Sequence, residues 1–383
     1  MRIRSEYLPF GRPAFGDAEI AAVARVMRSG WVGMGAETIA FEDELASHVG
    51  IPHVVTVNSC TSALFLALRV LGVGRGDEVI CPSLTWCATA NAAMYLGARP
   101  VLCDVDRDSL SVSPETVLPL VTPRTRAVMV VHFGGYAVDV AALQRALPER
   151  IRVVEDAAHA LGSRYPDGRP VGASGNLVCF SFYANKNLST GEGGAIASAD
   201  GQLADELRSL RQNAMPADAW QRYTHARTAS AGTLTGLGYK MNYTDLQACI
   251  GRVQLRRQAE FAATRLAIAR RYLDALASVA PDVQFQTRCG EPDHARHLLV
   301  VRLPIERVRL SRDQFLLGLR ARNIGASVHS MPLHLMPLYD GCSPAALPAT
   351  DWLHERILTL PISASMTVLD ADEVVEHVAD LLA

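Results

Sequence analysis

Lysine is nearly absent from this 383-residue chain: of its 37 basic residues, only Lys186 and Lys240 are lysines. A genomic bias toward arginine codons accounts for the scarcity itself. Where a position needs only positive charge, arginine has taken it. A lysine that persists is therefore a candidate for chemistry that arginine cannot do. A guanidinium stays protonated, whereas a buried amine can lose its proton and attack a carbonyl. Other absences narrow the field further. No basic block or basic face is visible and the net charge is −2, which argues against a nucleic-acid partner. No uninterrupted apolar run is long enough to span a membrane. The first ten residues carry Arg2, Arg4 and Glu6 and no apolar core, unlike a signal peptide. None of the eight cysteines forms a CxxC pair, and several sit in apolar runs such as Val101-Leu102-Cys103. They read as reduced, buried thiols of a cytoplasmic protein. His294 with His297, or His329 with His334, lacks a third ligand at suitable spacing, so no metal is expected.

What is present is an ordinary globular composition, 49% hydrophobic, with enough chain for a large core and two domains. Short apolar strands are expected over residues 54–57, 78–81, 101–104, 127–131, 153–155, 178–182 and 195–198. Helical patterns fall between the first five, over residues 62–71, 88–96, 113–121 and 138–147. This alternation predicts an α/β fold with a mostly parallel central sheet and helices on both faces. In such sheets ligands bind beyond the carboxyl ends of the strands. One long amphipathic helix is expected over 245–276, with Thr244 as N-cap. A second set follows: strand 298–303, helix 312–322, strand 327–329 and helix 371–382, a smaller C-terminal α/β domain. The division is placed at residues 1–250 and 251–383. Gly72-Val73-Gly74-Arg75-Gly76 precedes a strand, so it is a helix-end loop and no dinucleotide fingerprint.

Four segments at strand ends carry chemistry. Asn58-Ser59-Cys60-Thr61-Ser62-Ala63 opens a helix, where backbone N–H groups, the helix dipole and the Thr61 and Ser62 hydroxyls suit a phosphate; simple helix capping is the plainer reading. In Pro82-Ser83-Leu84-Thr85-Trp86 the indole can cover a flat ligand or merely fill the core. In Val154-Glu155-Asp156-Ala157-Ala158-His159 a carboxylate at a buried strand end needs a partner. A protonated pyridine nitrogen is one such partner for Asp156, and capping a helix is the alternative. Strand alternation turns Glu155 the other way, and His159 alone reads equally as a core histidine. Finally, Ser181 ends a strand and Lys186 follows in a loop beside Gly191, Gly193 and Gly194, which permit tight turns. Together these supply a phosphate site, a ring stacker, a ring-nitrogen acid and a Schiff-base amine, the electron-sink chemistry of pyridoxal phosphate.

Those residues, with Asp104-Val105-Asp106-Arg107-Asp108, Asp218-Ala219-Trp220 and Gly238-Tyr239-Lys240-Met241-Asn242, resemble the DegT/DnrJ/EryC1/StrS family of sugar aminotransferases. The resemblance runs from Gly30-Trp31 through Leu360-Pro361 and is closest to nucleotide-linked 4-keto-sugar aminotransferases, such as those making UDP-4-amino-4-deoxy-L-arabinose. It implies a pyridoxal-phosphate-dependent transferase of fold type I. It implies Lys186 as the catalytic Schiff-base lysine and proton carrier, and Asp156 on the pyridinium nitrogen. His159 would sit by the phenolic oxygen, where many relatives have Gln, and Trp86 on the ring face. Thr61, Ser62 and Ser181 would hold the phosphate, and Asn242 would reach it from the other subunit of a homodimer. Trp31, Tyr183 and His329 are the candidates for the sugar site. The expected reaction moves the amine of L-glutamate to the C4 ketone of a nucleotide-diphospho-4-keto sugar. A keto-cyclitol or C3 keto-sugar substrate uses the same cofactor residues and stays open, as does a non-catalytic cofactor-binding regulator. Two departures from the family pattern stand out, the second of which bears on the sugar. Cys60 stands where Gly or Ala is common, and residues 328–334 differ from the arabinose enzymes.

Overall fold

A computed structural model describes residues 3–215, 234 and 236–382. The segment Asp218-Ala219-Trp220 lies outside the described residues. In chain order the helices are α1 (Asp17–Ser29), α2 (Ala36–Val49), α3 (Cys60–Val70), α4 (Ala88–Tyr95), α5 (Pro114–Val117), α6 (Val140–Ala146), α7 (Gly201–Leu210), α8 (Asp245–Arg256), α9 (Gln258–Val279), α10 (Arg312–Arg320), α11 (Pro348–His354) and α12 (Val368–Leu382). The strands are β1 (His53–Val57), β2 (Glu78–Pro82), β3 (Arg99–Cys103), β4 (Thr125–Val131), β5 (Arg152–Asp156), β6 (Leu177–Ser181), β7 (Gly194–Ser198), β8 (Gln284–Phe285), β9 (Leu299–Arg302) and β10 (Ile357–Leu360).

The larger sheet runs β1-β7-β6-β5-β4-β2-β3. Only β7 opposes its neighbours; β6, β5, β4, β2 and β3 pair in parallel, and β1 runs the same way through two antiparallel steps. The carboxyl ends of β1, β2, β5 and β6 therefore share one edge with the start of β7. The strands are apolar on both faces, as a sheet covered on both sides requires. Ile80, Val128, Val130 and Val153 pack toward α2 and α6. Their alternates Val79, Ala127, Met129 and Val154 pack toward α3, α4 and α7. The smaller antiparallel sheet, β10-β9-β8, buries its core against α9, α10 and α12, and Leu8 from the N-terminal segment joins that core.

Three expectations about local structure give way. The long helix across 245–276 is broken at Arg257 (φ −92°, ψ 1°), between α8 and α9. There the N–H of Arg257 turns to the carbonyl of Gln254 at 3.2 Å, while its guanidinium bonds the Ala14 carbonyl at 2.9 Å. Tertiary contacts thus tighten one turn without interrupting the apolar stripe. The helix expected to reach residue 121 ends at Val117 and continues as a 3₁₀ turn over Leu118–Leu120, where Pro119 has no N–H to donate. The strand expected over 327–329 shrinks to a single bridge between Ser327 and Thr359. Among the described residues, no helix is long and apolar enough to cross a membrane.

Candidate active site

The shared sheet edge opens into a cavity of about 460 Å³. Eight of the singled-out residues line it: Thr61, Trp86, Asp156, His159, Ser181, Tyr183, Lys186 and His329. They come from five separate stretches of chain, gathered because parallel strands end together.

Ser59 caps α3 by accepting from the Ser62 N–H at 3.1 Å, and the first intrahelical bond runs from the Ala63 N–H to the Ser59 carbonyl at 3.1 Å. The N–H groups of Cys60 and Thr61 precede that bond, so the positive end of the helix faces the cavity. Gly194, at the start of β7, lies against this turn: a Cβ there would stand 2.6 Å from the Ser59 carbonyl carbon and 2.7 Å from the Cys60 nitrogen. Only glycine lets the sheet edge approach so closely. Ser62 does not line the cavity; its hydroxyl donates to Asn58 Oδ1 at 2.7 Å and meets Ser59 Oγ at 3.0 Å, which makes it a capping residue here.

Asp156 closes the inner end and is 6% exposed. One carboxylate oxygen accepts from Thr89 Oγ1 at 2.8 Å and the other from the Ala158 N–H at 3.1 Å. Thr85 Oγ1 stands 2.9 Å from Thr89 Oγ1 and extends the chain of hydroxyls. Burial raises the Asp156 pKa, and these hydrogen bonds and the Lys186 charge only partly oppose it. The carboxylate is thus positioned, desolvated and without an ion-pair partner among the described residues. Its neighbour Glu155 faces the opposite side of the sheet, as alternation requires. There it meets His132 Nε2 at 2.8 Å, Tyr165 Oη at 2.6 Å, Ser174 Oγ at 2.5 Å and Asn176 Nδ2 at 2.7 Å.

Lys186 lines the same cavity, and its N–H closes a turn onto the Tyr183 carbonyl at 2.9 Å. Its Nζ meets His297 Nε2 at 3.4 Å. Burial lowers the amine's pKa to about 8, although Cys60 and Asp156 pull the other way. His297 packs against His159 with ring centroids 4.5 Å apart and planes tilted by 34°, and His159 Nδ1 accepts from the Gly134 N–H at 3.3 Å. Burial, with the Lys186 charge, holds both histidines well below the usual imidazole range. They are neutral at pH 7 and add no positive charge beside the lysine. The same causes lower His329 to about 4, and its Nδ1 lies 2.9 Å from Thr359 Oγ1. Trp86 is 68% exposed at the cavity mouth, an uncovered aromatic face above a polar floor.

Two other singled-out residues stand apart from this chain's own cavity. Trp31 donates from Nε1 to the Met34 carbonyl at 3.1 Å, beside the start of α8. Asn242 donates to the Tyr243 carbonyl at 3.2 Å. Lys240 is exposed and bridges to Gln212, so the two lysines part company in space. Sequence reasoning overlooked Thr89, Phe133 and His297. Thr89 and Phe133 look like ordinary core residues in the sequence. In the sequence His297 reads only as half of a metal pair with His294.

The pattern of the DegT/DnrJ/EryC1/StrS aminotransferase family matches residues 13–379. Among solved structures, the chain is similar to the aminotransferase TlmJ from Streptoalloteichus hindustanus (35% identity, 98% of this chain and 99% of that one, TM-score 0.89). It is also similar to DesV from S. venezuelae in complex with a ketimine intermediate (34%, 98% of each chain, 0.85). Spr1654 from Streptococcus pneumoniae, assigned as a sugar aminotransferase and solved in its PLP-form, shows 28% identity over 98% of each chain at a TM-score of 0.88. The chain belongs to the DegT/DnrJ/EryC1/StrS family and is a pyridoxal-phosphate-dependent sugar aminotransferase of fold type I.

Proposed function

We propose that the enzyme transfers the amine of L-glutamate to the C4 ketone of a nucleotide-diphospho-4-keto sugar, by a ping-pong sequence in which Lys186 anchors the cofactor and moves the proton. The observation that carries this reading is that Lys186, buried Asp156 and exposed Trp86 line one cavity. The residues present fit pyridoxal phosphate. Asp156 is a desolvated carboxylate that lacks a cation, which a pyridinium N–H supplies. The α3 terminus, packed against Gly194, offers N–H groups of the kind that bind phosphate. The cofactor, when bound, supplies an electrophilic carbonyl and an electron sink.

Asp156, oriented by Thr89 and the Ala158 N–H, would hold the proton on the ring nitrogen. Thr61, Ser181 and the N-terminus of α3 would hold the phosphate. Trp86 would cover one ring face and exclude water from it, and His159 would serve the phenolic oxygen. Lys186 would hold the cofactor through its Nζ, and the same Nζ, as a free amine, would take up and return the proton at the substrate carbon. An amine with a pKa near 8 suits both tasks, since it is neither permanently charged nor a weak base. His297, 3.4 Å from that amine, stays neutral and leaves the pKa to burial. L-Glutamate departs as 2-oxoglutarate, and the keto sugar then takes the amine by the reverse steps.

Tyr183 and His329 line the outer cavity as substrate contacts. Asn242 and Trp31 lie outside it in a single chain, and the proposal assigns Asn242 to the phosphate of a partner in a homodimer. The division into residues 1–250 and 251–383, each built on its own sheet, belongs to the same proposal. The test is a panel of nucleotide keto sugars and keto-cyclitols, aminated with glutamate and read by 2-oxoglutarate release. Turnover is expected with 4-keto sugars. Preference for a 3-keto sugar or a keto-cyclitol overturns the substrate assignment. Equilibrium sedimentation of a monomer overturns the shared site.

A further inference from the structure

A second cavity of about 200 Å³ lies behind the lysine loop, walled by α9, the 161–164 segment and residues 294–296. Its walls carry Arg164, Arg265, Arg296, His48 and His294, and no carboxylate. Arg265 and Arg296 are 3% and 1% exposed. Other buried arginines each face an acid: Arg211 meets Glu42, Arg302 meets Asp108, Arg312 meets Asp313 and Arg356 meets Glu306. Arg265 and Arg296 make no such pair among the described residues. Nη1 of Arg265 donates to the carbonyls of Arg296 and Ile362, at 3.1 and 3.3 Å. Nη1 of Arg296 donates to the Glu291 carbonyl. Nε of each is buried with no acceptor. Two desolvated, unneutralised guanidiniums on one cavity are strongly unfavourable unless a counter-charge fills it.

We propose that this cavity is an anion site, in which Arg265 and Arg296 clamp one oxyanion of carboxylate or phosphate size. Both arginines line this one cavity, each with an Nε that has no acceptor, and a guanidinium fork matches such a ligand. The site is separate from the cofactor cavity yet adjoins it through the backbone. Asn187, which lines the anion cavity, follows Lys186. Arg296 precedes His297, which touches the Lys186 amine. Burial lowers both guanidinium pKa values to about 10, and for Arg265 the Arg296 charge adds to the effect, a perturbation that a bound anion relieves.

The experiment uses holoenzyme, in which the cofactor occupies the active-site phosphate position. Inorganic phosphate and acetate are titrated separately at constant ionic strength while thermal unfolding is followed. Wild type is expected to show a saturable rise in midpoint with at least one of them, and the tighter ligand separates the phosphate source from the carboxylate source. Arg265→Met and Arg296→Met are expected to lose the response, with anion-free midpoints at or above the wild-type value. An equal rise in both variants, or no rise in wild type, overturns the proposal. Should both variants fail to fold, wild-type crystals soaked in selenate decide the matter. An anomalous peak between the two guanidiniums supports the site, and a featureless cavity overturns it.

Discussion

Gly194→Ala isolates the part of the site that no side chain performs. Gly194 pairs with Val57 of β1 and Ser181 of β6, so its backbone is fixed from both sides. A Cβ at this position would lie 2.6, 2.7 and 2.8 Å from the Ser59 carbonyl carbon, the Cys60 nitrogen and the Ser59 oxygen. Ordinary contact begins near 3.4 Å, so the turn must retreat by most of an ångström. The clashing atoms are backbone, and no flexible side chain can swing aside. Overpacking of this kind costs about 1–3 kcal/mol. If that strain falls on the cofactor-bound state, affinity drops by roughly 5- to 150-fold, at about 1.4 kcal/mol per tenfold. The α3 terminus would move with the turn, so the loss should appear in pyridoxal phosphate affinity, measured by visible absorbance titration of the apoenzyme. Gly74→Ala is the control, since a Cβ there meets nothing within 4 Å. Cofactor affinity within twofold of wild type in Gly194→Ala, with an unchanged melting temperature, would refute the close-approach argument.

Other consequences follow from the same geometry. Thr89→Val removes the hydrogen bond to Asp156 Oδ2, which lowers that carboxyl's pKa. The pKa should therefore rise further, moving the acid limb of the activity profile to higher pH and weakening cofactor binding about tenfold, as for a hydrogen bond to a charged group. A profile superposable on wild type speaks against the positioning role. Lys186, at a pKa of about 8, should capture cofactor with a rate that climbs to about pH 8 and then levels. At pH 7 roughly a tenth of such an amine is unprotonated, against a few in ten thousand for an unperturbed lysine. A rate still climbing at pH 10 contradicts the shift. Glu155→Ala leaves the donors of His132, Tyr165, Ser174 and Asn176 facing an empty site and should cost of order 3–5 kcal/mol in denaturant unfolding. Burial raises the Glu155 pKa, but its hydrogen bonds outweigh that and the net direction is down. Its stabilisation is therefore complete above about pH 4.3, the unfolded value, and fades as pH falls through the lower folded value. The gap between wild type and variant should narrow only in strong acid. A constant gap down to pH 2 argues against the linkage.

The sheet and the inner site were legible in the sequence because they rest on local signals. Apolar runs of three to five residues mark parallel strands, and polar residues at their carboxyl ends have to share an edge. Asp156 and Glu155 were separable by alternation alone. Features set by contacts distant in sequence were not legible. The break at Arg257 depends on the Ala14 carbonyl, more than two hundred residues away, and leaves the helical period intact. The role of Thr89 emerges only once α4 packs beside the end of β5. Ser62 has the residue type of a phosphate ligand, yet the carboxamide of Asn58, four residues earlier, takes its hydroxyl. His297 was hidden by its spacing from His294, which suggested a metal pair. Its real neighbour is the amine of Lys186.

Borohydride reduction of the holoenzyme followed by peptide mapping tests the central assignment most directly. The chain holds just two lysines, so the answer is binary. The account expects the reduced cofactor on the peptide containing Asn185-Lys186-Asn187, with the visible absorbance bleached in proportion. Cofactor found on the peptide of Lys240 instead, exposed beside Gln212, would contradict it.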